Sequence, residues 1–255
     1  MNEPEILIDE VDATISVVCL NRPKRRNALS LALMQSLCNQ MVTLSGDDRK
    51  RVVILHGSGP VFSAGLDLFE AADSEYFEQS AAWVAQLLDT IKSCPLITIA
   101  AVHGAALAGG AGIMAACDLV VAAEDTMIGF PEVRRGMVPA LVTTVLRHKL
   151  TDSVLRELLL LGEPIWADRA REIGLVQHVV SGGELMKKAH EMARRFTQSA
   201  PAAVKHTKQL LNEAHVLDDK TFYHRALETH KQSRQSDEVE EGLTAFREKR
   251  KPRWK

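Results

Sequence analysis

Residues 100–121, AAVHGAALAGGAGIMAACDLVV, govern how the rest of the chain is read. The run leading into them, from Pro95 to Val102, is apolar and reads as a buried strand. Gly104 and the pair Gly109-Gly110 follow, and residues 111–117 are small enough to form a tightly packed helical segment. Asp118 ends that segment, and residues 119–123 give the next strand. A helix start leaves its first N–H groups unpaired and carries the positive end of the helix dipole. With no side chain on Gly109 or Gly110, a ligand can approach those N–H groups closely. An anion, or an oxygen that becomes one during a reaction, suits that place. Small residues also serve plain helix-on-sheet packing, so this stretch alone leaves both readings open.

A second stretch repeats the arrangement. RVVILH (51–56) is a short continuous apolar strand, stopped by Gly57-Ser58-Gly59-Pro60. VFSAGLDL (61–68) then turns through Gly65 and begins another segment. Two such turns brought together can each give one N–H to a single oxygen.

The chain has 255 residues, 46% hydrophobic and 25% charged, which fits an ordinary globular protein with a large core. A formal net charge of −2 argues against a general nucleic-acid binder. Cys19, Cys38, Cys94 and Cys117 form no CxxC, and three lie in apolar runs, as expected of buried thiols in a reducing compartment. The opening MNEPEILIDE is acidic and lacks the apolar core of a secretory signal. No run approaches the roughly 18 apolar residues of a membrane span. The expectation is a cytoplasmic protein with neither membrane nor nucleic-acid partners. There is no HExxH and no adjacent His/carboxylate cluster, so no metal is expected.

Around these stretches, residues 6–20 read as a hairpin turning at Val11-Asp12-Ala13. The loop NRPKRRN (21–27) carries four basic residues and suits either open solvent or a phosphate group. Ser30 is a fair N-cap for a helix over 31–45, with Leu33, Leu37, Met41 and Leu44 at helical spacing. Helices are expected over 141–150, 151–161 (capped by Thr151 or Asp152) and 167–173, with a strand over 175–180. An amphipathic segment over 184–198 precedes helices over 202–213, 221–233 and 239–249.

Five stretches in this order carry a family likeness: RPKRRNALS (22–30), FSAGLDL (62–68), HGAALAGGAGIMAACDLVVA (103–122), GFPEVRRGMVPA (129–140) and WADRAREIGLVQHVV (166–180). Together they resemble the crotonase superfamily, the enoyl-CoA hydratase/isomerase family, over nearly the whole chain. The resemblance implies an α/β fold, a crotonase-like spiral of ββα repeats with a C-terminal helical region. It implies a core over 1–198 and a helical trimerisation region over 199–255. It implies an acyl-CoA thioester as ligand, with CoA part of the substrate and no separate cofactor. It implies a homotrimer or a dimer of trimers. In the family, two backbone N–H groups hold the thioester carbonyl oxygen, and they match Leu66 and Gly109 here. The substrate- and CoA-binding positions implied around them are Arg25, Arg26, Ala28, Ala64, Gly65, Asp67, Leu68, Gly110 and Gly112.

Well-known hydratases of the family carry two catalytic glutamates. The first position is Gly112 in this chain and the second is Glu132. Ile128, Phe130 and Val133 surround Glu132 in sequence, and an apolar setting raises a carboxyl pKa toward the range useful for proton transfer. The bland alternative is a surface glutamate paired with Arg134 or Arg135. In lacking the first glutamate the chain is similar to single-glutamate bacterial enoyl-CoA or methylglutaconyl-CoA hydratases. One carboxylate can activate water and return the proton to C2, which is hydration. It can also carry a proton between C2 and C4, which is isomerisation. The expected activity is hydration, or the reverse dehydration, of an enoyl-CoA. A Δ3,Δ2-enoyl-CoA isomerase is one alternative, and a non-catalytic protein that keeps the CoA-binding scaffold is another. Glu70, Asp73, Glu75 and Glu78 read as solvated, and His56, Ser63 and His103 as structural.

Overall fold

A computed structural model of the chain describes residues 3–72 and 76–254, without the Phe77 side chain. The chain forms two compact units, Met1–Ala193 and Arg194–Lys255.

The first unit opens with the hairpin β1 (Ile6–Glu10) and β2 (Ile15–Leu20), paired antiparallel. Asp12 Oδ1 closes its turn by accepting from the N–H groups of Thr14 at 2.7 Å and Ile15 at 3.0 Å. A single 3-10 turn, Pro23–Arg25, leads to α1 (Leu31–Ser45). Ser30 Oγ accepts from Leu33 N–H at 3.2 Å, and Leu33, Leu37, Met41 and Leu44 are buried at the expected spacing. Next come β3 (Val52–Gly57), the short α2 (Leu68–Ala71) and the long α3 (Phe77–Ser93). Then follow β4 (Ile97–Val102), β5 (Ala105–Leu107) and α4 (Gly109–Ala116). The pattern recurs as β6 (Leu119–Ala123), β7 (Met127–Gly129), a 3-10 turn over Pro131–Arg135 and α5 (Ala140–Leu146). The unit closes with α6 (Asp152–Leu161), β8 (Ile165–Trp166), α7 (Ala167–Glu172), β9 (His178–Val180) and most of α8 (Leu185–Phe196).

Two sheets result. One has the order β1-β2-β3-β4-β6-β9, parallel after the opening hairpin. Its inner strands are buried almost throughout, which is why they read as continuous apolar runs rather than alternating ones. The other has the order β5-β7-β8. Successive repeats stack on it: Ser63 bridges Ala106, Ala106 pairs with Ile128, and Ile128 with Ile165. Strand in the large sheet, short strand in the small one, then helix: this is the ββα spiral that the resemblance implies.

The differences have local causes. The strand expected over 175–180 is only β9, because Leu175 and Val176 donate their N–H groups to Ala170 O and close the turn after α7. β5 and β7 are three residues each, too short for a periodicity signal. Phe62 and Phe130 are fully buried. Each immediately precedes a functional turn and anchors it by about 1.5–3 kcal/mol of apolar burial.

The second unit is helical: α9 (Pro201–Glu213), α10 (Asp219–Ser233) and α11 (Asp237–Glu248). Asp218 caps α10 and Ser236 caps α11. The Glu238 carboxylate accepts from the N–H groups of Ala202 and Ala203 at 2.7 and 3.0 Å, meeting the positive end of α9. Arg225 reaches Glu213 at 2.8 Å and ties α10 to α9. Among the described residues, no helix is long and apolar enough to cross a membrane.

Candidate active site

The first turn, residues 63–67, is held by its neighbours. Ser63 Oγ donates to Asn27 O at 2.8 Å and accepts from Gly65 N–H at 3.2 Å. Leu29 N–H donates to Gly65 O, and Asp67 N–H to Leu29 O. These bonds straddle Leu66 and leave its own N–H without a partner among the described residues. Gly65 has φ +89°, and a Cβ there would lie 2.6 Å from Leu107 O and 2.9 Å from the Ala108 Cβ. Glycine is therefore what lets this turn lie against the second one.

The second turn passes through Ala108, whose φ of 49° is in the left-handed region. For a residue with a Cβ this costs on the order of 1–3 kcal/mol. The conformation is fixed from both sides: Ala108 N–H donates to Gly129 O at 2.8 Å, and Ala108 O accepts from Gly112 N–H at 2.9 Å. The strain turns the chain so that α4 begins at Gly109 with an N–H that has no partner among the described residues. A Cβ on Gly109 would sit 3.9 Å from Leu66 N and 3.1 Å from Leu29 Cδ1. Two free donors from two different repeats thus stand side by side.

Glu132 lies on the 3-10 turn after Phe130, which Gly136 closes with φ +72°. Arg134 turns away from it, bonding Glu163 at 2.6 Å and Leu161 O at 3.0 Å. Glu132 Oε2 is buried with no hydrogen-bond partner among the described residues. Burial raises the pKa of this carboxyl above its ordinary value; its own backbone N–H and the Arg135 charge pull the other way and are the smaller effects. The pairing with Arg134 or Arg135 considered from sequence is not formed.

Leu66, Gly109 and Glu132 line one cavity of about 280 Å³, together with Ala64 and Leu68. Its remaining wall is mainly apolar, from Val84 on α3, from Leu107, and from Met137, Leu141 and Val142. Such a volume is near the lower bound for small-molecule sites. Sequence reasoning does not single out the α3 wall, nor Ser80 within it.

Other candidate residues lie elsewhere. Arg22 is held by Glu5 at 3.1 Å and Asp67 at 3.0 Å, and donates to Ala28 O. Asp67 also caps α2 through Phe69 N–H. Lys24, Arg25 and Arg26 are exposed, with the Arg25 guanidinium 5.2 Å above the Phe69 ring. Gly110 packs on Ser63, where a Cβ would meet Oγ at 2.7 Å. Glu70 accepts from Leu31 N–H at the start of α1, Glu78 is exposed, and Asp73 and Glu75 lie outside the described residues. His103 bonds Gly59 O and His56 bonds Ala101 O, with ring centroids 4.8 Å apart. Among the described residues, no group of His, Cys, Asp and Glu could hold a metal ion.

Gly112 is informative by what surrounds it. A Cβ there would lie 2.8 Å from Val142 Cγ1 and 3.3 Å from Leu88 Cδ2. Side chains occupy the space into which a residue here would project. Gly112→Glu is therefore expected to destabilise the fold by about 1–3 kcal/mol from overpacking alone, without a gain in hydration. Thermal melting followed by circular dichroism, with turnover measured alongside, checks this. A variant melting at the parent temperature and hydrating faster would contradict it.

Known proteins resemble this chain over nearly its whole length. The family model described as enoyl-CoA hydratase/isomerase matches residues 10–255. A Bacillus subtilis protein described as a probable enoyl-CoA hydratase is 33% identical over 251 residues, 96% of this chain and 96% of that protein. The crystal structure of enoyl-CoA hydratase from Mycobacterium smegmatis superposes with a TM-score of 0.94 at 32% identity, covering 99% of both chains. That of enoyl-CoA hydratase from Bacillus anthracis also gives 0.94 at 32% identity, covering 98% of this chain and 99% of that one.

Proposed function

Because the chain belongs to the enoyl-CoA hydratase/isomerase family, we propose that it adds water across the 2,3 double bond of an enoyl-CoA thioester, or removes it, with Glu132 as its single acid/base. One observation carries the reading: a buried carboxylate oxygen shares a cavity with two backbone segments, and neither it nor their N–H groups has a partner among the described residues.

In this mechanism the thioester carbonyl oxygen accepts from the N–H groups of Leu66 and Gly109. Ionised Glu132 takes a proton from a water molecule as the water oxygen forms its bond to C3. The electron pair of the double bond moves toward C2 and the carbonyl, and the oxygen gains negative charge. Donors fixed by the backbone stabilise that charge without reorganising. The Glu132 carboxylic acid then gives its proton to C2. One water has entered the product, a 3-hydroxyacyl-CoA, and Glu132 is ionised again. A carboxyl with a raised pKa suits both halves, because it is a stronger base toward water than an ordinary carboxylate and can still return the proton to C2.

For the CoA portion we assign the exposed basic residues Arg25 and Arg26 to its phosphate groups, with Ala28 beside them. Ala64 and Leu68 line the acyl cavity, whereas Gly65, Asp67, Gly110 and Gly112 act through packing and capping. CoA is part of the substrate, and the mechanism needs no separate cofactor or metal. The compartment we assign is the cytoplasm.

Isomerisation is the second reading, favoured by the single carboxylate and the filled space at Gly112. Chromatography of products from a panel of 2-enoyl- and 3-enoyl-CoA thioesters separates the two. Hydration gives 3-hydroxyacyl-CoA, whereas isomerisation only interconverts the enoyl esters. Binding without turnover would mark a non-catalytic CoA-binding protein.

The reading extends to assembly, a homotrimer or dimer of trimers. Leu211, Tyr223, Leu243 and Phe246 of the second unit are 52–82% exposed, apolar surface that another subunit can cover. Sedimentation at micromolar concentration is expected to give three or six chains, and a monomer would contradict it.

A further inference from the structure

Ser80 stands on α3, is 5% exposed and lines the acyl cavity. Its hydroxyl has no hydrogen-bond partner among the described residues. Several other helical hydroxyls in this chain turn back onto the carbonyl four residues earlier. Ser45 does so to Met41 O, Thr143 to Pro139 O, and Ser93, in the same helix as Ser80, to Asp89 O, each at 2.7 Å. Tyr76 O is in the equivalent position for Ser80 and accepts its N–H at 2.8 Å, yet the hydroxyl is not turned onto it. Ala81, Val84, Leu107, Leu141 and Val142 around the cavity have no polar side-chain atom to offer. A purely apolar chain filling the cavity would strip this hydroxyl of water and leave it unpaired, and a ligand atom that pairs with it avoids that cost.

We propose that Ser80 recognises an uncharged oxygen function on the acyl chain, so that the preferred ligand is an acyl-CoA carrying a hydroxyl or keto group beyond the reacting carbons. The inference rests on the enoyl-CoA reading above. Ser80 is on α3, an element that carries neither the free N–H groups nor Glu132, and we assign it to the part of the chain beyond the reacting carbons. A single hydroxyl cannot offset the burial of a carboxylate. Arg135, the one cation among the described lining residues, is exposed, and its charge already acts on Glu132. The matching group is therefore neutral.

Binding of unreactive saturated esters tests this separately from catalysis. Hexanoyl-CoA, 5-hydroxyhexanoyl-CoA and 6-hydroxyhexanoyl-CoA are titrated calorimetrically into the full-length protein and its Ser80→Ala and Ser80→Thr variants. The parent is expected to bind at least one hydroxylated ester about five- to tenfold more tightly than hexanoyl-CoA, the worth of one net hydrogen bond. Ser80→Ala abolishes or reverses the preference, and Ser80→Thr, which keeps the hydroxyl, retains it. A parent that favours hexanoyl-CoA, or a preference that survives in Ser80→Ala, overturns the proposal. Turnover of 2-hexenoyl-CoA is measured in parallel. If binding shows the preference and turnover is absent, the hydratase reading falls while Ser80 keeps its role. If Ser80→Ala leaves the affinities unchanged and slows turnover, the hydroxyl serves the reaction and the proposal is wrong.

Discussion

Glu132→Gln is expected to slow turnover of a 2-enoyl-CoA thioester by about 10²–10⁴-fold, the usual worth of general acid–base catalysis. Glutamine preserves the size and shape of the side chain but cannot take up and return a proton. Among the described residues none replaces it: Gly112 has no side chain, Glu70 is bound to the start of α1, and Glu78 is exposed. Thioester affinity should change little. Stability should change in the opposite sense to activity. Because burial raises the Glu132 pKa in the folded state, its contribution to stability is full below the unfolded carboxyl value, about 4.3, and is lost as pH rises through the folded value. Above the unfolded value the buried carboxyl therefore costs stability, and glutamine removes that cost. The variant should melt above the parent at pH 7, with the gap closing below about pH 4. Melting curves at the two pH values, beside steady-state rates, check both halves. A variant retaining more than a tenth of the parent rate would return the proton carrier to the remaining acidic residues.

Gly109→Val should be nearly as damaging, by a different route. The first added carbon would lie 3.9 Å from Leu66 N, on the side where the carbonyl oxygen must reach both donors. It would also press on Leu29 Cδ1 at 3.1 Å, the end of a side chain that can yield. The fold is thus expected to survive, while the valine methyl groups fill the oxygen's place. Loss of one such donor costs about 10²–10³-fold in rate, and exclusion of the oxygen costs more. Gly109→Ala should fall between parent and valine variant. Rates of the two variants, with circular dichroism confirming the fold, measure this. Near-parent activity in folded Gly109→Val would show that the oxygen binds elsewhere.

Much of the site was legible because it is local. Continuous apolar runs stopped by glycine marked β3, β4 and β6, and Ser30 before a helical repeat marked α1. The apolar residues flanking Glu132 already implied a raised pKa. What lay hidden depends on contacts distant in sequence. Gly65 reads as a turn residue, but its closeness to Leu107 O follows from the stacking of two repeats. Arg134 reads as an ion-pair partner for Glu132 until Glu163, 29 residues on, draws it away. Whether Gly112 leaves a vacancy is decided by Val142 and Leu88. α3 does carry a signal, since Val84, Leu87, Leu88 and Ile91 repeat at helical spacing. Ser80 is a polar residue in an otherwise ordinary amphipathic helix, and its place in the cavity wall follows only from the packing of α3. The positive φ of Ala108 has no sequence signal, since the residue there is alanine and not glycine.

The most direct test of single-carboxylate hydration is to run 2-hexenoyl-CoA with the parent protein in H₂¹⁸O and to examine the product by mass spectrometry. The mechanism predicts 3-hydroxyhexanoyl-CoA with one ¹⁸O at C3, formed at least 10²-fold more slowly by Glu132→Gln. A 3-enoyl product free of ¹⁸O, or labelled product formed equally fast without the Glu132 carboxylate, would contradict it.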